Sequence, residues 1–391
     1  MSDKYLFFSI VALFTVSLVF TYSLSAFTVL FYGYDDLHFF IRQAAAVILG
    51  IGIMSVMSWM DPDRWFNRIG FSLFILSLIA MMAMPFLPES IAKSVLGAKR
   101  WIHLGPINIS PVEFFKVGFI FFVSWSFSRR VVHHGKLSIV EELKVFLPYL
   151  GVLFVAILLI AFIQNDLGQV IVLAATLVTL FIMAGRSVKI FFVFAIAGAG
   201  SIVLLILSAP HRIKRILSWW SMIQDRVLGF FPPDIAEKLR VPQVTESYQI
   251  SNSLNAFFNG SYFGQGLGNG QFKLGYLSEV HTDFILAGIS EELGLLGLVA
   301  VTGLILFIIF RILLIASGLY RSEYYLYTIG TALMIFYSFI VNSYGISGLT
   351  PIKGIAVPLL SYGGSQIIAG SIAIGLVLMV SKKRRSHGGA I

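Results

Sequence analysis

The chain has 391 residues, of which 58% are hydrophobic and only 12% charged, with a mean hydropathy of +0.88. That is about half the charge of a soluble domain, which excludes a water-soluble enzyme. The apolar residues fall in runs of roughly 20 rather than alternating segments of about 10, so an outer-membrane barrel is excluded too and a polytopic helical membrane protein remains. The absence of cysteine rules out disulfides, thiol nucleophiles and thiolate metal sites. The net charge of +9 is explained by basic residues flanking membrane helices and does not call for nucleic acid.

In chain order the sequence predicts ten spans, at 5–31, 39–60, 66–88, 108–128, 145–163, 168–184, 189–209, 284–315, 324–345 and 366–381. The first lacks a small-residue cleavage site after a short apolar core, so it reads as a retained helix. With the N-terminus inside, the inner segments carry fifteen basic residues: Lys4, Arg64, Arg68, Arg129, Arg130, Lys136, Lys144, Arg186, Lys189, Arg311, Arg321 and Lys382–Arg385. The short outer loops carry five, namely Arg42, Lys93, Lys99, Arg100 and Lys353. This bias places both termini in the cytoplasm. The expected fold class is an all-α polytopic membrane protein, a single integral domain over 1–391 with a short basic cytoplasmic tail at 382–391. Residues 210–283 are the exception, a 74-residue extracytoplasmic loop with seven basic and six acidic residues. A connection of that length is usually functional. No internal repeat is visible, which withholds support from an inverted-repeat transporter.

Ionisable groups at membrane depth are functional candidates. Arg42 opens the second span beside Gln43. Asp61-Pro62-Asp63 fits a capped turn better than a metal-binding pair, because it lies on the inner face. Lys99-Arg100-Trp101 precedes the fourth span. Within that span Glu113 and Lys116 share a helix face and can pair. Asp166 lies in the turn between spans five and six, where it can cap a helix. Glu291 and Glu292 read as helix-packing groups. Basic residues on the outer side run against the orientation bias, and a phosphate-bearing lipid, anionic lipid or a partner protein would explain them. Two glycine-rich stretches, Gly260–Gly268 and Ser361–Ser365, suit either close approach to a ligand or tight turns.

The most informative segment is Lys273-Leu274-Gly275-Tyr276-Leu277-Ser278-Glu279-Val280-His281-Thr282-Asp283-Phe284-Ile285, followed by Glu291-Glu292-Leu293-Gly294. It resembles the signature of the SEDS family (shape, elongation, division and sporulation). Arg100-Trp101-Ile102 with Ser110–Lys116, Asn165–Gly168, Ser247-Tyr248-Gln249, Ser253-Leu254, Gly264–Gly268, Pro351–Gly354 and Ser361–Ser365 are similar to further family elements, in order, from about residue 40 to 380. Lys273, Tyr276 and Lys353-Gly354 look like the division branch rather than the elongation branch. The sequence departs from the pattern at Ser278 and Asn165, where proline is usual, and at Gln366. About twenty residues around 226–245 look like an insertion.

The resemblance implies a peptidoglycan glycosyltransferase that polymerises lipid II at the outer face of the bacterial cytoplasmic membrane, at the division septum. It implies a class B penicillin-binding protein and other division proteins as partners. A diphosphate leaving group needs positive charge, and a sugar 4-hydroxyl needs a carboxylate to take its proton. On that reading Asp283 is the general base. Arg42, Arg100, Lys116 and Lys353 are candidates for diphosphate contact, with Glu113 orienting Lys116. Asp166 and Ser361 complete the substrate-binding candidates. Asp283 can equally be read as the helix cap of span eight. A divalent cation, Mg or Mn, is compatible with this chemistry, its ligands unassigned. The rival readings are an elongation-type polymerase, a lipid II flippase, and a division scaffold without chemistry.

Overall fold

The structure is a computed structural model. It describes residues 2–95, 98–105, 107–132, 138–187, 210–242, 248–351 and 354–383, with scattered positions between 189 and 207. Among them, seven helices are long and apolar enough to cross a membrane, and Leu167–Met183 is a shorter apolar helix. The chain is a multi-pass helical membrane protein. The predicted span 189–209 and Lys353 lie largely or wholly outside the described residues.

Local chemistry sets the helix boundaries. Asp3 caps α1 (Lys4–Leu24) by accepting from Leu6 N at 2.9 Å. The first predicted span then divides, because α1 stops at Ser25 and α2 (Ala26–Tyr32) follows. After α3 (His38–Trp59), Asp61 accepts from Asp63 N and Pro62 occupies the first turn of α4 (Pro62–Ala83). Both are start signals, since proline there forfeits only an amide with no helical partner. Two short hairpins, β1 (Ser94–Val95) with β2 (Ala98–Lys99) and β3 (Ile102–Leu104) with β4 (Ile107–Ile109), lead into α5 (Pro111–Arg130). A capping box of Ser138 and Glu141 starts α6 (Ile139–Ile157), which runs into a π-helical turn before α7 (Leu167–Met183).

Residues 210–283 contain three helices: α8 (Pro210–Leu228), α9 (Pro233–Leu239) and α10 (Tyr248–Gly260). The apparent insertion folds back on α8. Gln224 pairs both ways with the Val241 backbone at 2.8 and 2.9 Å, and Trp220 Nε1 donates to Leu239 O at 2.8 Å. The chain ends in α11 (Ile285–Ala316), α12 (Ser322–Ile346) and α13 (Gly364–Ser381). In the bundle α13 lies on α3, α4 on α5, α1 on α11, and α12 against α5, α7 and α11.

One predicted straight span is broken. Gly294 inside α11 takes φ 69°, ψ −170°, which only glycine adopts easily. A break at membrane depth exposes amide and carbonyl groups that must find partners. The glycine-rich loop after α10 supplies them. Gln265 N and Gly266 N donate to Glu291 O and Glu292 O at 2.9 and 3.0 Å, while Leu295 N donates to Ser261 O at 2.9 Å. A Cβ at Gly264 would overlap Glu292 O. The stretch Gly260–Gly268 thus serves close backbone packing.

Candidate site at the mouth of the bundle

The starts of α1, α4 and α12 and the ends of α3, α11 and α13 gather at one end, tied by contacts among Asp3, Asp63, Arg311, Arg321, Lys382 and Lys383. The opposite end holds those sequence-predicted site residues that lie among the described ones. Asp283 precedes α11 there. It does not cap the helix: Phe284 is the cap residue and makes no side-chain cap bond. The loop carrying Asp283 is instead clamped to the loop before α13. Ser361 Oγ donates to Thr282 O at 2.6 Å, Tyr362 N donates to His281 O at 2.9 Å, and Asn342 Nδ2 donates to Asp283 O at 2.7 Å. Gln43 extends the clamp, donating to Ser361 O at 3.3 Å and accepting from Gly363 N at 3.1 Å.

Ser361 therefore departs from its expected role. It is fully buried, and its hydroxyl is already engaged with Thr282 O and with Val357 N, at 2.8 Å. It holds the loop and presents nothing to a substrate. Arg42 is exposed beside Tyr362 and His38, one step around the same mouth.

Arg100, Glu113, Lys116 and Asp166 form one polar network. Arg100 Nε donates to Gln164 O at 2.8 Å and one of its amino groups to Asn165 O at 3.4 Å. A guanidinium carries five N–H groups, so donors remain. Asn165, where proline was expected, takes φ 51°, which a proline ring forbids. Asp166 caps α7 by accepting from Gln169 N at 3.2 Å, which realises its capping role without removing it from the site. Gln169 Nε2 reaches Glu113 at 3.4 Å, and Glu113 pairs with Lys116 at 2.9 Å, both side chains largely buried. This pair lines a small interior cavity with Gln169, Ser338 and Gln366. Gln169 Oε1 and Ser338 Oγ are buried there without partners among the described residues, which marks the cavity as a place for water or a polar ligand group.

The electrostatics join the two halves. Burial pushes the Asp283 carboxyl up to about 7, with the negative charges of Asp166 and Glu279 adding to the rise and Arg100 opposing it. Burial raises Asp166 as well, against Arg100. His281, pushed down to about 4 by burial, stays neutral at physiological pH. A carboxyl poised near 7 has the acidity that suits a general base. Among the described residues no group of three His, Asp or Glu gathers as a metal cage.

Sequence reasoning missed Asn342 and assigned no role to Gln43. It also missed the partner of Glu292: Lys273 Nζ lies 2.7 Å from Glu292 and Ser23 Oγ donates to the same carboxylate at 2.7 Å, all three buried. Glu291 accepts from Asn259 at 2.8 Å and from Gln271 N at 2.6 Å. The two glutamates anchor the long loop to the break in α11 and also tie that helix to α1 and α10, in keeping with the helix-packing role read from the sequence. A glutamate pair one turn before a glycine in an apolar span was the available signal.

An apolar groove with a volume of about 580 Å³ runs along α3, α4 and α5, lined by Met57, Ile69, Leu76, Ile102, Ile109 and Phe114. Its upper end is the β3–β4 hairpin, next in sequence to Arg100.

Comparison with known proteins agrees with this architecture. A family profile described as "Cell cycle protein", covering FtsW, RodA and SpoVE, matches residues 4–386. A Helicobacter pylori protein named "Probable peptidoglycan glycosyltransferase FtsW" is 46% identical over 384 residues, covering 97% of this chain and 98% of its own. An Escherichia coli O157:H7 protein of the same name is 32% identical over 355 residues, covering 90% of this chain and 79% of its own. Among solved structures, the rod shape determining protein RodA of Thermus thermophilus superposes with TM-score 0.64 at 22% identity, covering 99% of this chain and 98% of that one. A chain from a peptidoglycan synthase complex superposes with TM-score 0.72 at 21% identity, covering 98% of each. At those identities the likeness is one of fold. With its motifs, its architecture and a profile match over nearly its whole length, the chain belongs to the FtsW–RodA–SpoVE family of cell cycle proteins, the SEDS family that its sequence resembles.

Proposed function

We propose that this chain is a peptidoglycan glycosyltransferase of the division type, polymerising lipid II into β-1,4 glycan strands at the outer face of the cytoplasmic membrane. The observation that carries the reading is the placement of Asp283. Its carboxyl is raised to about 7, lies in the field of Arg100 and Asp166, and sits on a loop clamped at the mouth of the bundle. Relatives that are named peptidoglycan glycosyltransferases align over almost the full chain.

The chemistry follows from charge. Asp283 accepts the proton of the acceptor sugar's 4-hydroxyl as that oxygen forms a bond to the anomeric carbon of the donor. The bond from that carbon to the diphosphate breaks, and its electron pair leaves with the diphosphate. Attack opposite the leaving group inverts the centre. Arg100, with donors to spare, and Arg42 at the rim meet the developing anion. Lys116, paired with Glu113, adds positive charge below. The groove that ends at the β3–β4 hairpin accommodates the substrate's polyprenyl chain. A divalent cation, Mg or Mn, would be held chiefly by the substrate diphosphate and would supply further positive charge to the leaving group, since such ions bind through phosphates and few protein carboxylates.

The proposed topology has ten spans, both termini cytoplasmic and the clamped loops outside, with 189–209 as the seventh span. The proposed partner is a class B penicillin-binding transpeptidase, in keeping with the synthase complex whose chain shares this fold. Division proteins and anionic membrane lipid are the other expected contacts, and septal localisation of a tagged copy separates division from elongation.

The test is polymerisation of purified lipid II by the protein reconstituted with its partner. Rapid strand synthesis with wild-type chain, and a rate lowered by about 10²- to 10⁴-fold with Asp283→Asn, are expected. An Asp283→Asn variant at wild-type rate would sink the assignment. Transport of labelled lipid II without strand growth would favour the flippase.

A further inference from the structure

We infer that Asn342 is a positioning residue for this reaction, a one-amide ruler that sets the Asp283 carboxylate against the loop at 354–357. The inference rests on the proposed role of Asp283. Asn342 sits near the end of α12, a spanning helix packed chiefly against α5, α7 and α11, and is 4% exposed. Its Nδ2 donates to two carbonyls at once, Asp283 O at 2.7 Å and Ile355 O at 2.6 Å. The orientation of the amide follows from chemistry: two carbonyls need donors, and the flipped amide would set oxygen against oxygen.

Neither carbonyl is an ordinary helix acceptor. The first amides of α11 reach Phe284 O, because Ala287 N and Gly288 N both donate there, at 3.0 and 3.1 Å. Asp283 O thus lies outside the helical ladder and is held by Asn342. Gly354, the chain neighbour of Ile355, takes φ 62°, and a Cβ built there would lie 3.2 Å from Asp283 Oδ2. The carboxylate is therefore set by two contacts, the amide that ties the backbone of Asp283 to Ile355 and the close bare face of Gly354. Asp283, Asn342, Gly354 and Ile355 line one small void, and Asn342 Oδ1 is buried without a partner among the described residues.

A primary amide presents two N–H groups on one atom, in one plane, and asparagine does so on a side chain short enough for this buried site. Aspartate at 342 has the same shape but offers acceptors only, and it adds negative charge beside Asp283. Serine keeps at most one donor. The charged groups already acting on Asp283 are Asp166, Glu279 and Arg100, with His281 neutral nearby.

The experiment compares wild type, Asn342→Asp, Asn342→Ser, Gly354→Ala and Asp283→Asn in the reconstituted lipid II assay. It reads kcat, KM, the acid limb of the pH profile and the melting temperature of each. Asn342→Ser is expected to lose roughly 10- to 100-fold in kcat, the scale on which misplaced catalytic groups act, with KM changed less than about threefold. Asn342→Asp is expected to move the acid limb to higher pH, an effect that mere loosening of the fold would not produce. Gly354→Ala tests the same spacing through the second contact, so the inference stays testable if a substitution at 342 prevents folding. It is expected to lower kcat likewise. Wild-type kcat in Asn342→Ser or in Gly354→Ala, or an unmoved limb in Asn342→Asp, overturns the ruler. If Asp283→Asn is inactive while the 342 variants are normal, the ruler fails and the role of Asp283 stands. If Asp283→Asn is fully active, the catalytic reading fails and the ruler with it.

Discussion

The two ends of the bundle both concentrate charge, but they handle it in opposite ways. At the end where α1 starts and α13 stops, Asp3 and Asp63 each have a cation at hydrogen-bond range. Asp3 pairs with Arg311, and Asp63 pairs with Arg321 at 2.6 Å and Lys383 at 2.7 Å while also accepting from Tyr324 OH at 2.9 Å. These contacts fasten α1, α4, α11, α12 and the tail to one another. At the site end, Asp283 and Asp166 are held by their backbones and by a cap bond, and both feel the charge of Arg100. The first arrangement neutralises charge to join helices. The second leaves acidity raised by burial and by a like neighbour, which is a chemical capacity rather than a fastening.

The contrast can be broken at several points. The largest effect is expected from Asp283→Asn, which removes the base without changing shape and should lower the polymerisation rate by about 10²- to 10⁴-fold, the usual scale of general base catalysis. Initial rates of strand synthesis check it. Next in size is Lys273→Met. It leaves Glu292, fully buried, without its cation. Removing one member of a buried pair costs about 3–5 kcal/mol, so the purified protein should melt markedly lower, as a thermal shift in detergent would show.

Third is the pH profile. A base poised near 7 makes the rate fall as pH drops below that value. Asp166→Asn removes a negative neighbour and should move the acid limb to lower pH. Arg100→Gln removes a positive one and should move it higher. Limbs that shift together would refute the shared field. The same shift carries a stability consequence. Because the folded pKa of Asp283 is raised, ionisation opposes folding, and stability is lost as pH rises through about 7. Asp283→Asn should therefore melt above wild type at pH 8, with the difference gone below about pH 4, the unfolded carboxyl value. The smallest effect belongs to the other end. Asp63 is about half exposed, so Asp63→Asn should cost about 0–1 kcal/mol and leave the polymerisation rate unchanged. A rate that collapsed there would show that the two ends are coupled.

Much of this was legible in the residues. Length and hydropathy of the apolar runs located the helices, since a bilayer sets the length of any helix that crosses it. Asp283, Arg100, Glu113, Lys116 and Asp166 were identified by their motifs. Three features were not legible. The break at Gly294 is invisible to hydropathy, because both halves of the helix are apolar; only the loop at 261–266 makes the break tolerable. The three helices between 210 and 260 were read as one loop, because their boundaries depend on side-chain contacts such as Gln224 with Val241. Ser361 looked like a ligand-binding serine in a glycine-rich turn, yet its hydroxyl closes a backbone clamp.

By itself, then, the sequence determined the solvent, the place of most membrane-length helices and the family, because apolar run length and motif order are properties of the chain read in one dimension. Only the tertiary structure decided which charges act on Asp283 and what holds it in place. Asn342 lies 59 residues from Asp283 along the chain and Gln43 lies 318 from Ser361. No local pattern links such pairs, since a side-chain amide finds its carbonyls only after the helices that carry them have packed.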